Sequence, residues 1–241
     1  VCSISSDRHD DKIEAQVVGF KENTVLLMAL DSVHLIHPGC KVASKRNSNA
    51  VPCGPSLLGR IIDGMGRPID GKGPLLAPQR DGFYAEPPNP LSRSLIADSF
   101  STGIKSIDTF VPLGNGQRVG IFSGSGVGKS ILLGMIARGS ESDVNVISLV
   151  GERGRELREF VENDLGPEGM AKSVIVVSTS DQPAPMRIRA SILATALAEG
   201  FRDQGSKVLL LMDSLTRFAM AQREIGLAAG EPPASRGYVP S

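Results

Sequence analysis

Tryptophan is absent and tyrosine occurs only twice, so the chain offers no row of aromatic platforms on which a single-stranded nucleic acid could stack. Excess charge is missing too. Lysine and arginine number 26 against 26 aspartate and glutamate, which excludes a basic footprint for nucleic acid and a polybasic membrane anchor. The longest purely apolar run is six residues, 25–30, far short of the roughly 20 that cross a bilayer. Cysteine is scarce: Cys2, Cys40 and Cys53 make an odd count without a Cys-x-x-Cys pair. That excludes a disulfide framework and fits a reducing cytosol. The start at Val1 has neither an initiator methionine nor the apolar core of a signal peptide, and reads as a chain cut from something longer. His34, His37 and Cys40 stand close together, but a structural zinc site wants four ligands in separated pairs. Pro38-Gly39 marks a turn, so these read as turn residues and no metal is expected there.

What is present divides the chain in two. Apolar residues make up 41%, ample for a core. Residues 1–80 hold short β-type runs at 13–20, 24–30 and Lys41–Ser44, followed by dense Gly/Pro punctuation from Pro52 to Pro74. This predicts a small, partial β-barrel module and the start of a turn-rich linker. From 81 to 241 apolar runs alternate with helical patterns. Strands are expected at 117–122, Val144–Val150, Ser173–Ser178 and 207–212, and helices at 129–138, 154–165, 184–204 and Leu215–Ala229. Continuous apolar strands, each followed by a helix, imply an α/β domain with a mostly parallel sheet covered on both faces.

The most informative stretch is Gly120-Ile121-Phe122-Ser123-Gly124-Ser125-Gly126-Val127-Gly128-Lys129-Ser130, placed between a strand and a helix. Glycines let the backbone curl so that amides of Gly124, Ser125, Gly126, Val127, Gly128, Lys129, Ser130 and Ile131 meet phosphate oxygens at a helix N-terminus. Lys129 would neutralise the outer phosphates of ATP, and the Ser130 hydroxyl would coordinate Mg²⁺. The strict G-x-x-x-x-G-K-[ST] pattern has glycine where this chain has Ser123. Residues 208–213 form an apolar strand ending in Asp213, a second Mg²⁺ ligand in a Walker B position; its bland alternative is a helix cap shared with Ser214. Glu152, just past the strand Val144–Val150, can orient or deprotonate a water. Arg217 lies one helical turn beyond Asp213 and can face the phosphate. Glu156 and Glu159 read as first-turn acids that complement a helix dipole.

Together Gly120 to Arg138, Ser148 to Phe160, Asp213 to Pro233 and Leu57 to Asp70 resemble the flagellum-specific and type III secretion export ATPases, relatives of the F-type ATP synthase catalytic subunit. The resemblance implies a β-barrel, a RecA-like P-loop NTPase domain and a homohexameric ring that hydrolyses ATP to release export cargo from chaperones. It implies Lys129 and Ser130 in the phosphate loop, Glu152 as catalytic glutamate, Asp213 as Walker B carboxylate and Arg217 as phosphate sensor. It also implies chaperone, cargo and stalk-protein partners, no nucleic acid, and a cytoplasmic protein peripheral to the inner face of the plasma membrane. Ser123 is similar to the export branch, where Ala or Ser is usual. The chain is expected to stop before the family's adenine-stacking aromatic, arginine finger and C-terminal domain. Two other readings stay open: a non-catalytic nucleotide-binding ring subunit, which in the ATP synthase family has Gln at the place of Glu152, and a rotary ATPase catalytic subunit. A nucleic-acid translocase lacks its basic, aromatic surface here.

Overall fold

The computed structural model describes all residues except 7, 8, 32, 34, 35, 46–48 and 125. Strands β1 (Cys2–Ser6), β2 (His9–Lys21), β3 (Thr24–Ala29) and β4 (Lys41–Ser44) form an antiparallel sheet in the order β3-β2-β1-β4. The alternation that buries Ile13 and Ala15 on one face, against Ile4, is the period-two pattern of a half-solvated sheet. Strands β5 (Ala50–Pro52) and β7 (Gln79–Asp81) pair with each other, while β6 (Arg60–Asp63) leaves them for the second sheet. A short pair, β8 (Ser99–Phe100) and β9 (Leu113–Gly114), flanks helix α1 (Lys105–Phe110).

The second sheet is wholly parallel. It runs β12 (Val208–Asp213), β10 (Val144–Val150), β11 (Ser173–Ser178), β6. Helices α2 (Lys129–Gly139), α3 (Gly154–Glu159), α4 (Gly166–Ala171), α5 (Ala184–Asp203) and α6 (Leu215–Ala229) connect and cover it. Every residue of β10 is buried, as a strand covered on both faces requires. Val144, Val146 and Val150 face α5 through Leu193, Leu197 and Phe201. Ile147 and Leu149 face α2 and the π-helical turn 160–165 through Leu133, Ala137, Phe160 and Leu165. At the start of β10, buried Asn145 donates to Ala137 O (2.8 Å) and Ser173 Oγ (3.2 Å) and accepts from Ser142 Oγ (2.7 Å). One amide thus ties α2 to two strands, with its own hydrogen-bonding capacity used.

Two expectations change. Residues 117–122 are not a strand: Val119, Ile121 and Phe122 are exposed, Phe122 at 96%. Gly120 interrupts a short apolar run that has weak strand preference without a paired neighbour. The sheet's edge is instead β6, from the segment read as linker. Only Ile61 and Ile62 are apolar there, and Ile62 is fully buried. The strand is pinned by polar bonds: Arg60 grips Asp70 through Nε (2.7 Å) and Nη2 (3.1 Å), and Asp63 holds Arg67 (2.6 Å). The Arg60 guanidinium keeps the Asp70 carboxyl far below its usual range. No helix among the described residues is long and apolar enough to cross a membrane.

Helix α2 approaches the 160–165 turn so closely that a Cβ on Gly134 would sit 2.5 Å from Asp164 O. Alanine is the better helix former by about 1 kcal/mol, yet Gly134→Ala is expected to lose about 1–3 kcal/mol through overpacking. Urea unfolding decides the sign, and a stabilised variant would mean that α2 and this turn separate freely.

Candidate active site

The carboxyl ends of parallel strands are where an open α/β sheet binds ligands, and an open cleft of about 1090 Å³ lies there. Loop residues Ser123, Gly124, Gly126 and Gly128 form one wall, and Gly126 (φ 75°) and Gly128 (φ 93°) bend it through the left-handed region. Helix α2 opens at Lys129, and its first intrahelical bond runs from Leu132 N to Gly128 O. The amides of Lys129, Ser130 and Ile131 therefore precede the first helical bond, at the positive end of the helix dipole. Ser130 and Ile131 line the cleft. Val127 has an exposed side chain and is not among the lining residues, while Ser125 lies outside the described residues.

Asp213 ends β12 and is 5% exposed; the Lys129 ammonium forms an ion pair with it. The Asp213–Ser214 peptide is cis. Ser214, not Asp213, caps α6, its Oγ accepting from Arg217 N at 3.4 Å. The Asp213 carboxylate therefore stays turned to the cleft-lining lysine.

Glu152 follows Gly151 at the end of β10. Its backbone carbonyl accepts from Ser180 N (3.0 Å), and its Oε2 accepts from Arg217 Nη2 at 3.2 Å. Arg217 also donates through Nη1 to Gly151 O. Gly151 has φ 71°, and a Cβ there would meet Arg217 Cδ at 2.7 Å, so only glycine admits this seat for the guanidinium. Burial pushes the Glu152 carboxyl up to about 7, helped by a hydrogen bond to Glu156 and by the negative field of Asp213; Arg217 opposes this and loses. Glu156, which accepts that proton's hydrogen bond, is held below its ordinary value.

The structure thus gathers Lys129, Ser130, Glu152 and Arg217 at one cleft, with buried Asp213 behind them on the Lys129 ammonium. Sequence reasoning missed the place of Glu156, which lines the cleft beside Glu152; the i, i+4 spacing of the two acids was the available signal. It also missed Ser180, Arg187, Thr216 and Met220, which carry no motif. Arg153 points to solvent near Glu156, at 3.6 Å. Cys2, Cys40 and Cys53 are free, and the described residues contain no cluster of three metal-ligating side chains. His37 Nδ1 lies 2.9 Å from Pro38 O, and His34 is outside the described residues.

The profile of the ATP synthase alpha/beta family, nucleotide-binding domain, matches residues 103–241. The flagellum-specific ATP synthase of Bacillus subtilis is 54% identical over 231 residues, covering 95% of this chain and 52% of that protein. The type 3 secretion system ATPase of Xanthomonas euvesicatoria is 51% identical over 227 residues, covering 94% and 51%. Among solved structures, the assembled ATPase EscN of the enteropathogenic E. coli type III secretion system superposes with a TM-score of 0.89 at 43% identity, over 99% of this chain and 57% of that one. EscN in complex with its central stalk EscO gives 0.85 at 46% identity, over 94% and 56%. The chain spans about half the length of the relatives it matches.

The raised Glu152 carboxyl has a measurable consequence for stability. Its folded value near 7 exceeds the ordinary 4.5, so between these pH values the folded chain keeps a proton that the unfolded chain has released. Stability on this account falls as pH rises through that window, and the whole penalty remains above it. Glu152→Gln imitates the protonated acid and is expected to raise the melting temperature at pH 8, with the gain shrinking towards pH 5. Equal shifts at both pH values would refute the assignment.

Proposed function

The chain belongs to the ATP synthase alpha/beta family, whose nucleotide-binding domain it carries, and from that premise we propose that it hydrolyses ATP in a hexameric motor energising flagellar or type III protein export. The observation that carries the reading is Glu152, a carboxyl with a pKa near 7 between Arg217 and Glu156, in the same cleft as the phosphate loop. A base works best with a pKa close to the operating pH. The identities near 50% to export ATPases support the export role over a general rotary ATPase.

Each residue has a part. The loop amides and the Lys129 ammonium take the β- and γ-phosphate oxygens, and Lys129 exchanges Asp213 for them as the nucleotide enters. Arg217, seated on the Gly151 carbonyl beside Glu152, presents its guanidinium to the charge that develops on the transferring phosphoryl group. Glu152 orients the attacking water and accepts its proton. Ser130 and Asp213 offer a hydroxyl and a carboxylate, hard oxygen donors of the kind Mg²⁺ takes alongside phosphates and its own waters. Mg²⁺ held there would neutralise charge on the phosphates during transfer. The protein would work at the cytoplasmic face of the plasma membrane as a peripheral ring, with chaperones, cargo and a stalk protein as partners. The solved complex of EscN with its central stalk EscO supports the last of these by relation.

The discriminating experiment uses the protein as the organism makes it. Glu152→Gln should keep MgATP affinity within about threefold and lower steady-state phosphate release by about 10²- to 10⁴-fold. Full turnover in that variant would sink the catalytic role and favour a nucleotide-binding ring subunit. In the unaltered protein Glu152 must be unprotonated to accept the proton, so turnover should climb as pH passes through about 7 and level off above it. A rate independent of pH between 6 and 8 would count against Glu152 as the base.

A further inference from the structure

Three cations line the cleft, and each is held by an acid: Lys129 by Asp213, Arg217 by Glu152, and Arg187 by Glu224. The first two pairs belong to the site already described. The third pair lines the same cleft through Arg187 but has no assigned role. Arg187 sits in the first turn of α5, its side chain 15% exposed, and Nη2 donates to Glu224 Oε2 at 2.5 Å. Its Nε is buried without a protein partner. An ion pair between exposed side chains contributes little; here Glu224 is half exposed but the guanidinium is mostly buried, so removing the acid would leave a buried charge uncompensated.

Glu224 lies on α6, seven residues after Arg217. That spacing is two helical turns and puts both on one face of the helix, with cleft-lining Met220 between them. Helix α6 is therefore held at two points along this face. At its start Arg217 grips Gly151 O and Glu152, and in its middle Glu224 is gripped by α5. Releasing the second point would let the middle of α6 shift on α5, and the group two turns up the same face from it, at the first point, is the guanidinium aimed at Glu152.

We propose that Arg187 is a positioning residue for hydrolysis: its ion pair with Glu224 locks α6 against α5 and so fixes the aim of Arg217 at Glu152. The inference rests on the hydrolase reading of the cleft. It predicts a defect in turnover rather than in nucleotide binding, because neither member of the pair needs to touch ATP.

The test compares Arg187→Met, Glu224→Gln and the reversed pair Arg187→Glu with Glu224→Arg in the protein as the organism makes it. Phosphate release from MgATP, affinity for a non-hydrolysable MgATP analogue, and the melting temperature are read for each. Both single variants should lose about 10- to 100-fold in kcat, with analogue affinity near that of the unaltered protein and a melting temperature still far above the assay temperature, so that unfolding does not account for the loss. The reversed pair should recover most of the loss. Unchanged kcat in the single variants would overturn the proposal, as would a loss that tracks analogue affinity, which would make Arg187 a phosphate ligand. Failure of both single variants to fold, or defects that simply add in the reversed pair, would overturn it too by making the pair a structural clamp. Absence of turnover in the unaltered protein is a separate result, since it removes the hydrolase reading and this inference together.

Discussion

A carboxylate buried at the end of a strand needs a cation beside it, and Asp213 finds one in Lys129. That contact ties the glycine-rich loop and the start of α2 to the sheet. It depends on topology more than on local sequence, because 84 residues separate the partners. The parallel register of β12 on β10 sets Asp213 opposite Leu149, two residues before Gly151. Asp213, Gly151 and Glu152 therefore emerge together at one edge of the sheet. Shifting either strand by a single residue would turn these groups to the opposite face.

The same edge holds opposed demands on Glu152. Burial and the carboxylates of Glu156 and Asp213 favour its neutral form, while Arg217 favours the charged form. The first set prevails in the structure, giving a carboxyl poised near neutrality instead of one fully committed to an ion pair. Such a group is a poor stabiliser of the fold and a good proton acceptor, which is the usual relation between strain and function at a site. Arg217 is kept from dominating by sharing its donors with the Gly151 carbonyl.

Much of this was legible in the sequence, for particular reasons. β10 and β11 are covered on both faces, so their apolar runs mark their own ends at Val144–Val150 and Ser173–Ser178. Helix α6 is bounded by capping residues, Ser214 before it and Gly230 (φ 92°) after it, and both are readable. Gly128-Lys129-Ser130 and the aspartate at the end of β12 announce phosphate chemistry through spacing alone. What was not legible is held by long-range polar contacts. β6 contributes two apolar residues to the sheet and owes its place to Arg60–Asp70, and no periodicity reveals it. Arg187 looks like any arginine on a long amphipathic helix; only the packing of α5 on α6 places it at the cleft. Residues 117–122 erred in the other direction, since an apolar run before a phosphate loop reads as a strand whether or not a neighbour pairs with it.

Helix α6 joins these levels. Its capped N-terminus follows Asp213, its first turn carries Arg217 to Glu152, and its middle meets α5 through Glu224. Its far end reaches the antiparallel sheet, where a Cβ on Gly19 of β2 would sit 3.7 Å from the Ala229 methyl. A helix is stiff along its axis, so the angle at which Arg217 enters the cleft and the seat of Ala229 against β2 are not independent. Rotating α6 enough to lift the guanidinium from Glu152 must disturb one of its other two supports. The Gly151 carbonyl, the Arg187 guanidinium and the β2 backbone at Gly19 are three points on one rigid rod, and they constrain its aim more tightly than any one contact does.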